Sequence, residues 1–245
     1  MKEKGDLHAL VIFIHGLGEH INRYNHVFDK FAADGIRVIG FDQRGHGKTW
    51  KKEGKLGMTG NLKTFLQDLE AVNASDHSTC PRFVMGHSMG GLFALYAAAY
   101  SEIPFVGVIS SAPALLPGTP IPTIKYYAGK ALSKLFRSPL VDNGLDLANL
   151  SRDPKVMENY KTDPLVHGMI SLGLADDILT TGEKLCKADF CKIQIPILIT
   201  HGTNDHLTCP KTSKEFFDKL TVKDKMYKSY EGYFHERKFL LIFSP

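Results

Sequence analysis

The chain predicts an α/β fold, a mostly parallel sheet flanked by helices, and three observations carry that reading. Short continuous apolar runs alternate with longer helical patterns, the rhythm of strands buried on both faces. One such run, Phe83-Val84-Met85, closes in Gly86-His87-Ser88-Met89-Gly90 and opens directly into the small-residue stretch from Gly91 onward. That is the strand-turn-helix setting of a nucleophile elbow. Finally, 245 residues with 43% apolar content suffice for one core, and nothing divides the chain, so residues 1–245 are read as a single domain.

Leu10-Val11-Ile12-Phe13-Ile14 is the first strand. It runs into the loop His15-Gly16-Leu17-Gly18-Glu19-His20, and residues 24–33 follow as a helix. Residues 36–41 form the second strand, leading to the turn Asp42-Gln43-Arg44-Gly45-His46-Gly47. Residues 61–72 form a helix with Asn61 as its cap and Leu62, Phe65, Leu66 and Leu69 on one face. After the elbow, strands are predicted at residues 105–110, 195–200 and 225–230.

Residues 112–181 interrupt this rhythm and are predicted to be a cap insertion over the carboxyl edge of the sheet. Within them Ile121, Ile124, Ala128, Ala131, Leu132 and Leu135 recur at helical spacing, with Lys125, Lys130 and Lys134 largely opposite. Such a stripe fits either an apolar lip that dips into an interface or a face packed onto the domain beneath.

Composition excludes several classes. A formal charge of +4 with scattered Lys and Arg gives no basic patch for nucleic acid. No run approaches the roughly 20 apolar residues of a bilayer span, and the charged start Met1-Lys2-Glu3-Lys4 does not read as a secretory signal. A cytoplasmic protein is expected. Cys80, Cys186, Cys191 and Cys209 have no metal-ligand spacing, there is no HExxH, and neither metal nor cofactor is expected.

A serine nucleophile needs a base to take its proton and an acid to orient that base. With Ser88 on an elbow, the partners should follow in the order Asp or Glu, then His. Asp205 lies in the loop after the strand at 195–200. Only His206 and His235 come later; His206 is its immediate neighbour, so elimination selects His235, just past the last strand. Two backbone N–H groups are required for the oxyanion: Met89, after the nucleophile, and Leu17, between two glycines of the first loop.

The set His15-Gly16-Leu17-Gly18-Glu19-His20 with Arg23-Tyr24, then Asp42 to Gly47, the Ser88 elbow, Asp205 and His235 resembles the monoacylglycerol lipase family of the α/β-hydrolases, in the serine aminopeptidase S33-like group. The resemblance covers nearly the whole chain. It implies cleavage of monoacylglycerols to fatty acid and glycerol through an acyl-enzyme on Ser88, a small-molecule lipid ester as partner, and peripheral contact with a membrane or lipid droplet through the cap. It places Glu19 and Arg23 near the glycerol end of the site and Asp163-Pro164-Leu165 in the cap. A carboxylesterase, lysophospholipase or S33-type aminopeptidase would use the same triad. A binding protein that only kept the fold would be expected to lose a triad member, and none is lost.

The chain also departs from that family. Nine residues precede the first strand and ten follow His235, where relatives carry one or two further strands and a closing helix. Lys238 stands where a second histidine is common, and residues 239–243 are apolar. Both ends therefore read as truncated, with lower stability and weaker activity expected.

Overall fold

The computed structural model describes residues 7–58 and 60–236; Lys238 and the apolar run at 239–243 lie outside them. The main sheet has the order β2-β1-β3-β4-β7-β8 and all of its pairings are parallel. Its strands are β1 (Ala9–Ile14), β2 (Ile36–Gly40), β3 (Arg82–His87), β4 (Phe105–Ser111), β7 (Ile197–Gly202) and β8 (Lys225–Tyr230). A separate antiparallel pair joins β5 (Leu140–Asp142) to β6 (Met169–Ser171). Sequence and structure agree on the six main strands to within two residues at either end.

Continuous hydrophobicity in the strands is explained by burial on both faces. Val11, Phe13 and Met85 meet Tyr24, Val27 and Phe31 at α1 (Asn25–Ala33). Ile12, Ile14 and Val84 point the other way. They join a larger core with α3 (Leu62–Ala74), α4 (Met89–Tyr100), α7 (Leu172–Lys187) and α8 (Pro210–Lys219). Each fully buried Leu, Ile or Phe contributes about 1.5–3 kcal/mol. Helix α4 is buried nearly all round, as an apolar helix without a polar face must be.

Helix starts follow local chemistry. Asn61 caps α3, its side-chain oxygen accepting from the Thr64 N–H at 2.9 Å, and Ser171 caps α7 by accepting from Leu174 N–H at 3.2 Å. In α6 (Pro154–Thr162), Asp153 accepts from Lys155 N–H while Pro154 occupies a first-turn position where no N–H is needed. The short helix α2 (Gly47–Glu53) has no long apolar period and so is not legible from periodicity.

Between β4 and α7 the chain leaves the sheet, forms α5 (Thr123–Leu135), the small β5–β6 ribbon and α6, and returns. Helix α7 crosses residue 181, and Leu174 and Leu185 both lie in the main core, so the helix packs as part of the layer beneath. Helix α5 is oriented by its polar side: Lys130 and Tyr126 meet Glu183 of α7. Its apolar side therefore faces outward, with Ile124 86% and Leu135 77% exposed.

Close backbone contacts fix where side chains are forbidden. A Cβ at Gly90 would lie 2.0 Å from the Ile14 carbonyl oxygen, whereas a Cβ at Gly129, on α5, would meet nothing within 4 Å. Gly90→Ala should destabilise the protein by about 3 kcal/mol or more. Gly129→Ala should be neutral or stabilise it by up to about 1 kcal/mol. Urea unfolding of both variants checks this; equal effects would contradict the packing described.

Candidate active site

Parallel register brings the functional loops together. Ile14 of β1 pairs with Gly86 of β3, so the loop from His15 and the turn at Ser88 leave the sheet side by side. Gly202 of β7 pairs with Tyr230 of β8, which does the same for the loops bearing Asp205 and His235. All four loops emerge at the carboxyl edge, where open α/β sheets hold their sites.

Ser88 sits at φ 58°, ψ −120°, left-handed backbone in a residue that has a Cβ. Its neighbours permit this only because they are glycines: a Cβ at Gly86 would lie 2.0 Å from the Gly90 oxygen. Ser88 N–H donates to Ser111 O at 2.9 Å, and its own carbonyl accepts from Leu92 and Ala114. The corner is thus tied to β4 and to α4, leaving the side chain at the start of a helix.

Asp205 and His235 meet as the sequence predicts, Nδ1 of the imidazole 2.7 Å from Oδ2 of the carboxylate. Both are buried. The other carboxylate oxygen accepts from the N–H groups of Leu207 and Thr208, at 2.8 and 3.0 Å. Burial works against the Asp205 charge, but His235 and His201 outweigh it and hold the carboxyl well below its ordinary range. Burial likewise opposes charge on His235, and Asp205 more than compensates, raising the imidazole above its usual value. The His235 ring packs 4.7 Å from that of His87, the residue preceding Ser88.

Met89 follows Ser88 and opens α4, and Gly16, the residue before Leu17, lies so near Ser88 that a Cβ there would be 3.4 Å from the Ser88 Cβ. Helix α4 adds the positive end of its dipole at Met89.

Glu19 and Arg23, expected near the glycerol end of the site, are bonded to other groups of the protein. Glu19 is 3% exposed, and its carboxylate accepts from Gly16 N–H and Tyr24 OH, each at 2.5 Å, and from Arg23. Arg23 turns its remaining donors to Glu236, at 2.8 and 3.0 Å, and lies over the Tyr160 ring of α6. Burial would raise Glu19, but Arg23 holds its carboxyl below the ordinary value; burial keeps Glu236 above its own. These side chains are committed to one another. They brace the loop below Leu17, the residue after His235 and the α6 segment as a unit. The sequence pointed to Glu19 and Arg23 but not to Glu236, a single acidic residue beside a histidine.

The insertion is seated on the same loops. Asp163 bonds His20 at 2.8 Å, and His167 N–H donates to Gly18 O at 2.8 Å. The His167 ring contacts Gly45 O and packs 5.1 Å from His46, which in turn lies 5.4 Å from His15.

Residues 5–239 match the family described as serine aminopeptidase, S33. The chain is 35% identical to a monoacylglycerol lipase of Mycolicibacterium smegmatis, over 94% of this chain and 82% of that one. Its fold matches the crystal structure of a Paleococcus ferrophilus monoacylglycerol lipase at TM-score 0.85 and 32% identity, covering 93% and 86% of the two chains. A soluble variant of Saccharomyces cerevisiae monoglyceride lipase, solved with a substrate analog, also gives TM-score 0.85, at 27% identity over 96% and 81%. Two curated relatives at 38% identity are longer, and the chain spans 24% and 61% of them. The chain belongs to the serine aminopeptidase S33 family of the α/β-hydrolases, the family of these monoacylglycerol lipases.

His46 is wholly buried, and burial holds its imidazole well below 6.5. Below pH 6.5 the unfolded chain takes a proton there that the folded protein refuses, so stability falls with falling pH. His46→Gln should be less stable near neutrality yet lose less between about pH 6.5 and 5. Melting curves across that range decide it, and an unchanged slope would contradict the assignment.

Proposed function

We propose that this S33-family chain is a serine ester hydrolase that cleaves monoacylglycerols to fatty acid and glycerol. The observation that carries the reading is Ser88 on a left-handed corner whose preceding residue, His87, packs its ring 4.7 Å from that of His235 in the buried Asp205–His235 pair. Ser88 Oγ attacks the ester carbonyl while His235 Nε2 takes its proton, and Asp205 holds the imidazole in the tautomer with hydrogen on Nδ1. Leu17 and Met89 N–H groups receive the oxyanion. Collapse expels glycerol, which takes the proton back from His235; water then attacks the acyl-enzyme by the same route and releases the fatty acid and Ser88.

The identities to monoacylglycerol lipases support the ester over the peptide amide. So does the state of Glu19. It is the carboxylate of the loop beside Ser88, and an aminopeptidase would need such a group for the substrate's ammonium. Here it is bonded to Gly16, Arg23 and Tyr24.

The insertion between β4 and α7 acts as the cap. Its outward face presents Ile124, Tyr127, Leu132, Leu135 and Phe136, with Lys125, Lys134 and Arg137 exposed on the same segment. Among the described residues no helix is long and apolar enough to cross a membrane. An apolar face with flanking cations suits peripheral contact with a lipid surface, from which a single-chain ester enters the site. Each buried acyl methylene adds about 0.8 kcal/mol to binding.

Ser88→Ala should retain its fold and lose turnover on the order of 10⁴-fold or more, and Asp205→Asn should lose several orders of magnitude. Activity within tenfold of wild type in either would refute the assignment. Initial rates on monoacylglycerol, triacylglycerol, lysophospholipid and an aminoacyl amide test the substrate: monoacylglycerol should be fastest. A faster aminoacyl amide would establish a peptidase instead.

A further inference from the structure

Oxygen Oδ2 of Asp205 is shared among more partners than a triad requires. Besides His235 Nδ1 it lies 3.0 Å from Nε2 of His201 and 2.9 Å from Oγ1 of Thr208. His201 is the penultimate residue of β7 and only 1% exposed. Its other ring nitrogen is 2.9 Å from Ser213 Oγ on α8. No step of the reaction above uses this second imidazole, so its place against the acid calls for another explanation.

We infer that His201 is a positioning residue: fixed by Ser213, it donates its Nε2–H to Asp205, aiming that carboxylate and limiting the negative charge that His235 receives. The inference rests on the triad reading. A carboxylate oxygen only accepts, so the nitrogen facing it carries the hydrogen. In this tautomer Nδ1 accepts from the Ser213 hydroxyl, and a bond at each end fixes the ring plane. In metal sites, partners one step removed from the ligands orient them, and removing one typically costs about 10–100-fold; the same scale is taken here for the partner of a catalytic carboxylate. Because His201 and His235 share one oxygen, the bond to His201 draws charge away from the other. Loss of His201 should therefore make the His235 imidazolium easier to form.

Several groups face His235. They are the carboxylates of Asp205, Glu236 and Glu19, the guanidinium of Arg23 that bonds the last two, the His87 ring, and Thr208 Oγ1 at 3.4 Å. Of these, Asp205 and Thr208 also touch His201, Thr208 Oγ1 lying 3.1 Å from its Nε2. A displaced titration in His201→Phe would thus report the contacts that His201 makes with Asp205 and Thr208.

The test is the pH profile of kcat and kcat/KM on a soluble short-chain ester for His201→Phe and His201→Gln, with folding checked by circular dichroism. In His201→Phe the acidic limb should move to higher pH by about half a unit or more. Its kcat should fall about 10–100-fold with KM within about threefold. His201→Gln keeps an N–H donor and should return both toward wild type. A folded His201→Phe whose acidic limb stays in place, or moves to lower pH, overturns the inference. Should that variant not fold, nitrogen-15 NMR of the unaltered protein decides. Hydrogen on Nε2 and none on Nδ1 of His201 near neutral pH is expected; hydrogen on Nδ1 overturns it. Ser88→Ala in the same assay separates the two failures. If it still turns over, the triad reading falls with this inference, whereas an inactive Ser88→Ala with an unmoved limb refutes only the role of His201.

Discussion

Ser88 is held at φ 58°, ψ −120°, a backbone state that costs of order 1–3 kcal/mol and persists only where the surroundings dictate it. Three things dictate it here. Gly86 and Gly90 remove the Cβ atoms that would strike the neighbouring backbone. Hydrogen bonds to the Ser111 carbonyl and from the Leu92 and Ala114 N–H groups hold the corner on both sides. Behind it, α4 is buried nearly throughout, so the corner rests on the best-packed helix of the core. A flexible loop could present a serine too, but it could not keep the hydroxyl and the Met89 N–H in one fixed relation.

A second constraint couples the two halves of the site. The Glu19–Arg23–Glu236 bridge joins the first loop to the residue after His235, and the Arg23–Tyr160 contact adds α6. Buried ionic clusters of this kind are poor sources of stability, since desolvation consumes most of the attraction. Their value is directional. Arg23 has a rigid fork of donors, and bonding two carboxylates with it fixes the distance between loops that no backbone pairing connects. The histidine contacts at His20, His46 and His167 seat the insertion on the same loops, so the parts that would meet a substrate's two ends share one foundation.

The site was legible in the sequence where chemistry imposes order. An elbow has few sequence solutions, and the order Ser, Asp, His along a strand-helix alternation left only His206 and His235 to choose between. Asn61 was readable as a cap because capping is local. Other features depend on packing and were not. Amphipathicity shows that α5 has two faces but not which one finds a partner, and it is the polar face, through Lys130 and Glu183, that does. The strand at β7 runs to Gly202, which turns His201 from a loop residue into a buried one against Asp205. Glu19 and Arg23 were found by resemblance, while their actual bonds, to each other and to Glu236, depend on loops 213 residues apart in the chain.

The central claim is that Ser88 alone is activated by this arrangement. Intact-protein mass spectrometry after treatment with a fluorophosphonate, followed by peptide mapping, measures it directly, because the reagent bonds covalently only to an activated hydroxyl. The account predicts one adduct per chain, on the peptide containing Ser88, and none in the protein denatured beforehand. An unmodified Ser88, or an adduct on another serine at comparable rate, would contradict it.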